Sequence, residues 1–205
     1  MEIVLVLLGS YLIGAIPFSY LIARLWKGVD IRKLGSGNVG STNVWRNVGP
    51  AAGLLAYGCD CGKGVLAVLL AGLLGDPKLM VLAACGVLVG HSWSVFLGFK
   101  GGKMVATGSG VILAMAPIVA LGTAPIWLLA LFLSKYVSVA SIVAAVVVPV
   151  GMYIFSPEPL FLAFSIVLAL ATIVKHIPNI KRLSQGTEPK VSWLRKRYKK
   201  SGDNG

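Results

Sequence analysis

What most constrains this chain is a succession of apolar runs, each closed by glycine, proline or a basic group. A helix rising 1.5 Å per residue needs about 20 apolar residues to cross a hydrocarbon core of ~30 Å. Runs of about that length lie at 3–25, 51–74, 79–99, 137–155 and 160–175. The stretch 104–133 has 30 residues, roughly 45 Å as helix, which is long for one crossing and short for two. Division near Pro117 gives seven spans. Composition agrees: 57% of residues are hydrophobic and 13% charged, against roughly 45–50% and about 25% in soluble domains. A water-soluble globule is excluded. The first run is not read as a signal peptide, because no basic residue precedes it and no small-residue cleavage site closes it.

The net charge of +12 then needs a location. A nucleic-acid binder would carry it on a polar surface that this chain lacks, so no nucleic-acid partner is expected. Cytoplasmic loops retain Lys and Arg. With seven spans, 17 of the 19 basic residues fall on one side, Lys78 falls on the other and Lys63 lies within a span. Merging the fourth and fifth spans would put Lys135 and the tail opposite the first loop. The expected fold is therefore an all-α integral membrane protein with seven transmembrane helices, N-terminus outside and C-terminus cytoplasmic. One membrane domain covers 1–190, and a basic tail, 191–205, is drawn to anionic lipid. Cys59, Cys61 and Cys85 lack zinc spacing and read as helix-packing residues, so no metal is expected. No inverted repeat of the kind found in many transporters is visible.

Polar residues gather at the inner ends of the spans. The first inside connection holds Gly35, Ser36, Gly37, Asn38, Gly40, Ser41, Thr42, Asn43 and Arg46. Glycines let backbone N–H groups converge on an anion, hydroxyls and amides add donors, and an arginine supplies a fork matched to phosphate. The run also satisfies GxGxxG, but a dinucleotide fingerprint needs a soluble βαβ unit, and here spans flank it. Asp60 and Lys63 lie inside a span, where ionisable groups are costly and are either functional or paired. Three residues apart on one helical face, they suit a structural ion pair equally well. They are not a Walker loop, since Tyr57 and Gly64 stand where glycine and a hydroxyl are required. The stretch from His91 to Gly108 carries Lys100-Gly101-Gly102-Lys103 and Thr107, two lysines bracketing a glycine pair that can wrap an anion; it has no HxxxxD acyltransferase dyad. Ser138 and Ser141 open the sixth span, and His176 and Asn179 close the seventh. Together these groups predict one polar, cation-lined site at the cytosolic interface, for a small phosphorylated substrate and a lipid partner or product.

The glycine series, Asp60-x-x-Lys63-Gly64, the Lys-Gly-Gly-Lys stretch and the tail His176-x-x-Asn179-Ile180-Lys181-Arg182-Leu183-x-x-Gly186-x-Glu188-x-Lys190 resemble the bacterial acyl-phosphate-dependent glycerol-3-phosphate acyltransferases. The opening Tyr11-Leu12-Ile13-Gly14-Ala15-Ile16-Pro17-Phe18 is similar to that family too. Two departures stand out: Ser41 where the family usually has alanine, and Met104 where glycine commonly follows the second lysine. Neither touches a polar group, and altered packing at most is expected.

The resemblance implies transfer of a fatty acyl group from acyl phosphate to the 1-hydroxyl of glycerol 3-phosphate, giving lysophosphatidic acid and phosphate in the first step of phospholipid synthesis. It implies no cofactor, a place in the cell inner membrane with the site facing the cytoplasm, and an upstream enzyme that forms acyl phosphate. Arg46 and Lys103 would hold the glycerol 3-phosphate phosphate, and Lys100 would neutralise acyl phosphate. Ser36 and Asn38, with the Gly35 to Gly40 amides, would stabilise the oxyanion and orient the attacking hydroxyl. Ser141, His176 and Asn179 would close the glycerol pocket. The base is His91, His176 or a substrate phosphate oxygen. The remaining candidates for substrate contact are Gly37, Thr42, Asn43, Lys63, Gly101, Gly102, Thr107 and Ser138.

A transporter for a small phosphorylated solute could use the same cations, but it would carry polar residues through the outer halves of the spans. Few are present apart from Ser10 and Thr123. A metal-dependent alcohol phosphotransferase would need several aspartates, and Asp60 is the only one within a span.

Overall fold

The computed structural model describes residues 1–156 and 158–191, and every regular element among them is helical. The basic tail beyond residue 191 lies outside the described residues. The chain runs through α1 (Glu2–Ala15), α2 (Phe18–Lys27), α3 (Ser41–Asn47), α4 (Pro50–Gly72) and α5 (Pro77–Ser92). It continues through α6 (Val105–Met115), α7 (Pro117–Ser134), α8 (Val137–Phe155), α9 (Pro159–Lys175) and α10 (Ile177–Ser184). Single 3-10 turns lie at Ile31–Lys33 and Val95–Leu97. Proline opens α4, α5, α7 and α9, where its missing N–H would have no intrahelical partner anyway. Asp76 and Glu158 cap α5 and α9 by accepting from the backbone N–H of Lys78 at 2.8 Å and Leu160 at 3.2 Å.

Among the described residues, five segments are long and apolar enough to cross a membrane: Glu2–Lys27, Pro50–Gly72, Pro77–Leu97, Pro117–Ser134 and Val137–Phe155. A sixth forms if α9 and α10, bent by 50°, count as one. Two features differ from the apolar pattern and one agrees with it. The first run is broken at Ile16–Pro17, because proline cannot donate the helical hydrogen bond there. The expected division near Pro117 is present, at Ala116. The helix before it, α6, has only 11 residues, about 16 Å of rise, so the expected fourth span is shorter than the ~30 Å core.

Helices pack in pairs, α1 on α5, α4 on α6 and α7 on α8, and small residues bring the first two pairs together. A side chain at Gly14 would collide with the Val87 carbonyl and one at Gly90 with the Tyr11 carbonyl; on the second pair, Gly64 abuts the Thr107 carbonyl and Gly110 that of Cys61. Close backbone approach of this kind replaces the hydrophobic drive that lipid removes. Val68, Val87, Val111, Val119, Met152 and Phe164 fill the bundle. A separate cluster of Ile22, Ile31, Val44, Ala56 and Leu97 lies beneath the first loop. Outward-facing Leu5, Leu8, Leu121, Phe132, Leu133 and Ile154 are exposed, as lipid-facing residues should be.

Candidate active site

The first loop is organised by one side chain. Asn43, buried on α3, donates from Nδ2 toward the carbonyls of Ile31 at 3.1 Å, Leu34 at 3.0 Å and Asn38 at 3.0 Å. Its Oδ1 accepts from the Ser36 N–H at 3.3 Å and from Asn47 Nδ2 at 2.9 Å. With Gly35 and Gly37 at positive φ, the segment curls back over α3. It leaves Ser36 exposed and Asn38 half-buried, with the Asn38 side chain laid over Gly40. Asn43 thus holds the loop with its own amide, while Ser36, Asn38 and half-buried Thr42 stand along the rim.

Four other segments meet at the same end of the bundle. Lys103 donates to Asn179 Oδ1, and Asn179 Nδ2 donates to Glu188 Oε1 at 2.7 Å. Ser138 donates to the same oxygen at 2.9 Å, while Arg182 Nε reaches Glu188 Oε2 at 2.7 Å. Arg46 crosses to the Pro189 carbonyl at 3.0 Å. Burial would raise the Glu188 carboxyl, but the three donors Asn179, Ser138 and Arg182 outweigh it and hold the group below its ordinary value. Lys103 is pulled down to about 8, first by burial and then by the Arg182 and Arg46 charges, against the pull of Glu188. Three cations therefore stand around one carboxylate that only Arg182 contacts directly, which leaves positive charge in excess. Beside them, His176 Nδ1 lies 2.8 Å from the Thr172 carbonyl, an acceptor, so Nδ1 carries the hydrogen and Nε2 of the neutral ring is the basic nitrogen.

A second ionic group lies deeper. Asp60 and Lys63, 1% and 4% exposed, pair at 2.8 Å. Ser19 donates to the other Asp60 oxygen at 2.8 Å, and Lys63 donates to the Ile16 carbonyl at 2.9 Å, at the break between α1 and α2. His91 Nδ1 is 3.7 Å from Asp60 Oδ1, and the other edge of its ring faces the Gly102 backbone.

The structure thus joins Arg46, Lys103, Ser138, His176 and Asn179, and keeps Lys63 and His91 in the inner group. Lys100 is exposed at the rim, and Gly101 and Gly102 form the turn between the two groups. Ser141 donates back to the Val137 carbonyl at 2.8 Å. Thr107 is fully buried on α6, and its hydroxyl has no hydrogen-bond partner among the described residues. Two members of the outer cluster, Arg182 and Glu188, were not singled out as site residues from sequence. Glu188 carried a signal, as the one acid in a basic segment. Ser19 carried none.

These observations define a class: an integral membrane protein built of helices, with a cationic, half-buried anion site where its loops meet. The glycerol-3-phosphate acyltransferase family matches residues 4–186. A glycerol-3-phosphate acyltransferase of Desulforamulus reducens is 47% identical over 92% of this chain and 94% of its own. Glycerol-3-phosphate acyltransferase 2 of Moorella thermoacetica is 49% identical over 91% and 96%. The crystal structure of PlsY (YgiH), an integral membrane glycerol 3-phosphate acyltransferase, in its glycerol 3-phosphate form superposes with a TM-score of 0.89 at 37% identity, covering 94% of this chain and 96% of that one. Its lysophosphatidic acid form gives 0.87 at 36% identity, with the same coverage. The chain belongs to the glycerol-3-phosphate acyltransferase family.

Proposed function

We propose that this protein transfers a fatty acyl group from acyl phosphate to the 1-hydroxyl of glycerol 3-phosphate, releasing lysophosphatidic acid and inorganic phosphate at the cytoplasmic face of the cell inner membrane. The observation that carries this reading is the gathering of three cations from separate segments around the Asn179, Glu188 and Pro189 corner: Arg182 pairs with Glu188, Lys103 donates to Asn179 and Arg46 donates to the Pro189 carbonyl. A cluster with surplus positive charge, half out of water, suits a phosphate dianion.

Arg46 and Lys103 hold the phosphate of glycerol 3-phosphate, with Glu188 and Asn179 fixing where the cations stand. Ser141 and Asn179 border the glycerol, with Ser138 tied to Glu188 beside them. Lys100, exposed at the rim next to Phe99 and Phe96, neutralises the headgroup of acyl phosphate, whose chain lies in lipid. The mixed anhydride is already activated, so positioning and oxyanion stabilisation carry the rate; Ser36, Asn38 and the Gly35 to Gly40 amides supply the donors. The hydroxyl oxygen forms the new ester bond as the carbonyl–phosphate bond breaks. The proton passes through His176 Nε2 and ends on the released phosphate. His91, with one nitrogen toward Asp60 and its far edge against Gly102, is poorly placed for that transfer.

The convergence of loops also supports seven passes. Arg46 meets Pro189, Lys103 meets Asn179, and the Val191 N–H donates to the Lys135 carbonyl at 2.8 Å. Chain segments that share one end are separated by an even number of passes, so α6 and α7 go out and return despite the shortness of α6. Most of the described basic residues fall in the connections at this end, which makes it the cytoplasmic one. An enzyme that makes acyl phosphate is the upstream partner.

The test is phosphate release from palmitoyl phosphate by the detergent-purified protein, expected only when glycerol 3-phosphate is present. Turnover with acyl-coenzyme A and none with palmitoyl phosphate would overturn the donor. If His91→Ala and His176→Ala both kept near-normal kcat, no protein base would be needed and the proton would go directly to phosphate.

A further inference from the structure

The buried group around Asp60 lies off the chemistry proposed above, yet an ionic group inside a membrane bundle is a costly way to fill space. Replacing such a pair with apolar residues is often neutral or stabilising, so packing alone does not explain it. Its contacts do. Asp60 on α4 receives Ser19 of α2 on one oxygen and faces Lys63 and His91 with the other. Lys63 reaches back to the Ile16 carbonyl at the proline break, an oxygen that also accepts from the Phe18 N–H at 3.1 Å. Lys63 Nζ stands 2.8 Å from Asp60 Oδ1, and both groups are buried. Asp60 lines a small cavity of about 10 Å³, room for about one water.

From Asp60 the contacts lead outward. The His91 carbonyl accepts from the Gly102 N–H at 3.0 Å, and Ser92 donates to the Gly102 carbonyl at 3.2 Å. Gly102 is pressed so closely between the His91 ring and the Val39 carbonyl of the first loop that no side chain fits there. The next residue is Lys103. The Lys-Gly-Gly-Lys turn is thus hydrogen-bonded to and packed against His91, whose ring lies 3.7 Å from Asp60.

We propose that Asp60, Lys63 and His91, with Ser19, form a positioning network that fixes the Gly101–Gly102 turn and so places Lys103 for the phosphate of glycerol 3-phosphate. These are positioning residues; none takes part in bond making. The inference rests on the substrate assigned above, and its test separates the two. Affinity for glycerol 3-phosphate is measured by calorimetry on the detergent-solubilised full chain, without acyl donor, and kinetics are measured with palmitoyl phosphate.

The first variant, Asp60→Asn combined with Lys63→Met, removes both charges so that neither is stranded. It is expected to bind glycerol 3-phosphate at least tenfold more weakly and to show a KM raised to match. The KM for palmitoyl phosphate and the kcat at saturating glycerol 3-phosphate should move less than threefold. The second, Ser19→Ala, removes one donor to Asp60 and leaves the pair; two- to threefold weaker binding is expected. Wild-type affinity in whichever of these variants is folded overturns the proposal, as does a collapse of kcat with unchanged affinity. Failure of the wild-type protein to bind glycerol 3-phosphate would instead overturn the substrate assignment.

Discussion

The outer cluster and the inner pair are built from the same residue types and differ in balance. Outside, Arg46, Lys103 and Arg182 gather near a single acid, Glu188, which pairs with Arg182 alone, and the site opens to the rim. Inside, Asp60 and Lys63 cancel, with side chains 2% and 3% exposed. A matched pair in low dielectric holds geometry but has no charge left to offer a ligand. An unmatched cluster at a boundary can bind a dianion, because its cations are already gathered and partly stripped of water. Net charge within each cluster, more than the number of ion pairs, separates a binding site from a brace.

That distinction is sharpest where one charge is stranded. Asp60→Ala would leave Lys63 unpaired among apolar helices, and loss of about 3–5 kcal/mol of stability is expected. It would be read as a large fall in thermal midpoint or loss of monodisperse protein in detergent. Arg46→Ala removes an exposed cation and should leave the midpoint near normal. It should raise the KM for glycerol 3-phosphate roughly 10–100-fold, the range of a lost charge-assisted contact. If Arg46→Ala lowered turnover without raising that KM, its phosphate role would fail. If both substitutions destabilised the protein equally, the contrast between brace and binding site would fail with it.

Much of this was legible in the sequence, for physical reasons that also mark where legibility stops. Bilayer thickness turns apolar length into helices, which placed α4, α5, α7 and α8, and Pro117 marked the division ahead of α7. Pro17 was present but unread, since an apolar run continues past it and only the bent backbone reveals two helices. The shortness of α6 is set by where the Lys-Gly-Gly-Lys turn ends, a tertiary matter. Arg46, Lys103, His176 and Asn179 stood out as polar groups at span ends. Arg182 and Glu188 become site residues only through each other and through Asn179, and Ser19 meets Asp60 across 41 positions. Pairings over such distances leave no local trace.

The outer cluster also predicts a pH response that the balanced pair should lack. With Lys103 titrating at about 8, about one-tenth remains charged at pH 9, so the KM for glycerol 3-phosphate should rise up to about tenfold between pH 7 and 9. The sign for stability is opposite. Between about 8 and the unfolded value of 10.5, the unfolded chain binds more protons at this position, so folding gains slightly as pH rises and weaker binding cannot be blamed on unfolding. Lys103→Arg keeps its charge throughout and should flatten the KM profile, whatever it does to the absolute value. A profile unchanged by Lys103→Arg would assign the titration elsewhere.

The smallest effect lies at the joint between the two regions. Met104 follows Lys103, caps the start of α6 from just outside it and sits at φ +68°, a left-handed conformation, while the residue is 5% exposed in the core. Met104→Gly would relieve about 1 kcal/mol of backbone strain. It would also remove a buried methionine, which is worth about 2 kcal/mol. The burial term wins, and a net loss of about 1 kcal/mol is expected, a fall of roughly 2–4 °C in thermal midpoint. Met104→Ala loses most of the burial while keeping the strain, so the order of stability should be Met, then Gly, then Ala. Measured midpoints in the order Gly, Met, Ala would mean that strain outweighs packing here. The turn that carries Lys103 would then be held by the inner pair against a backbone that resists it.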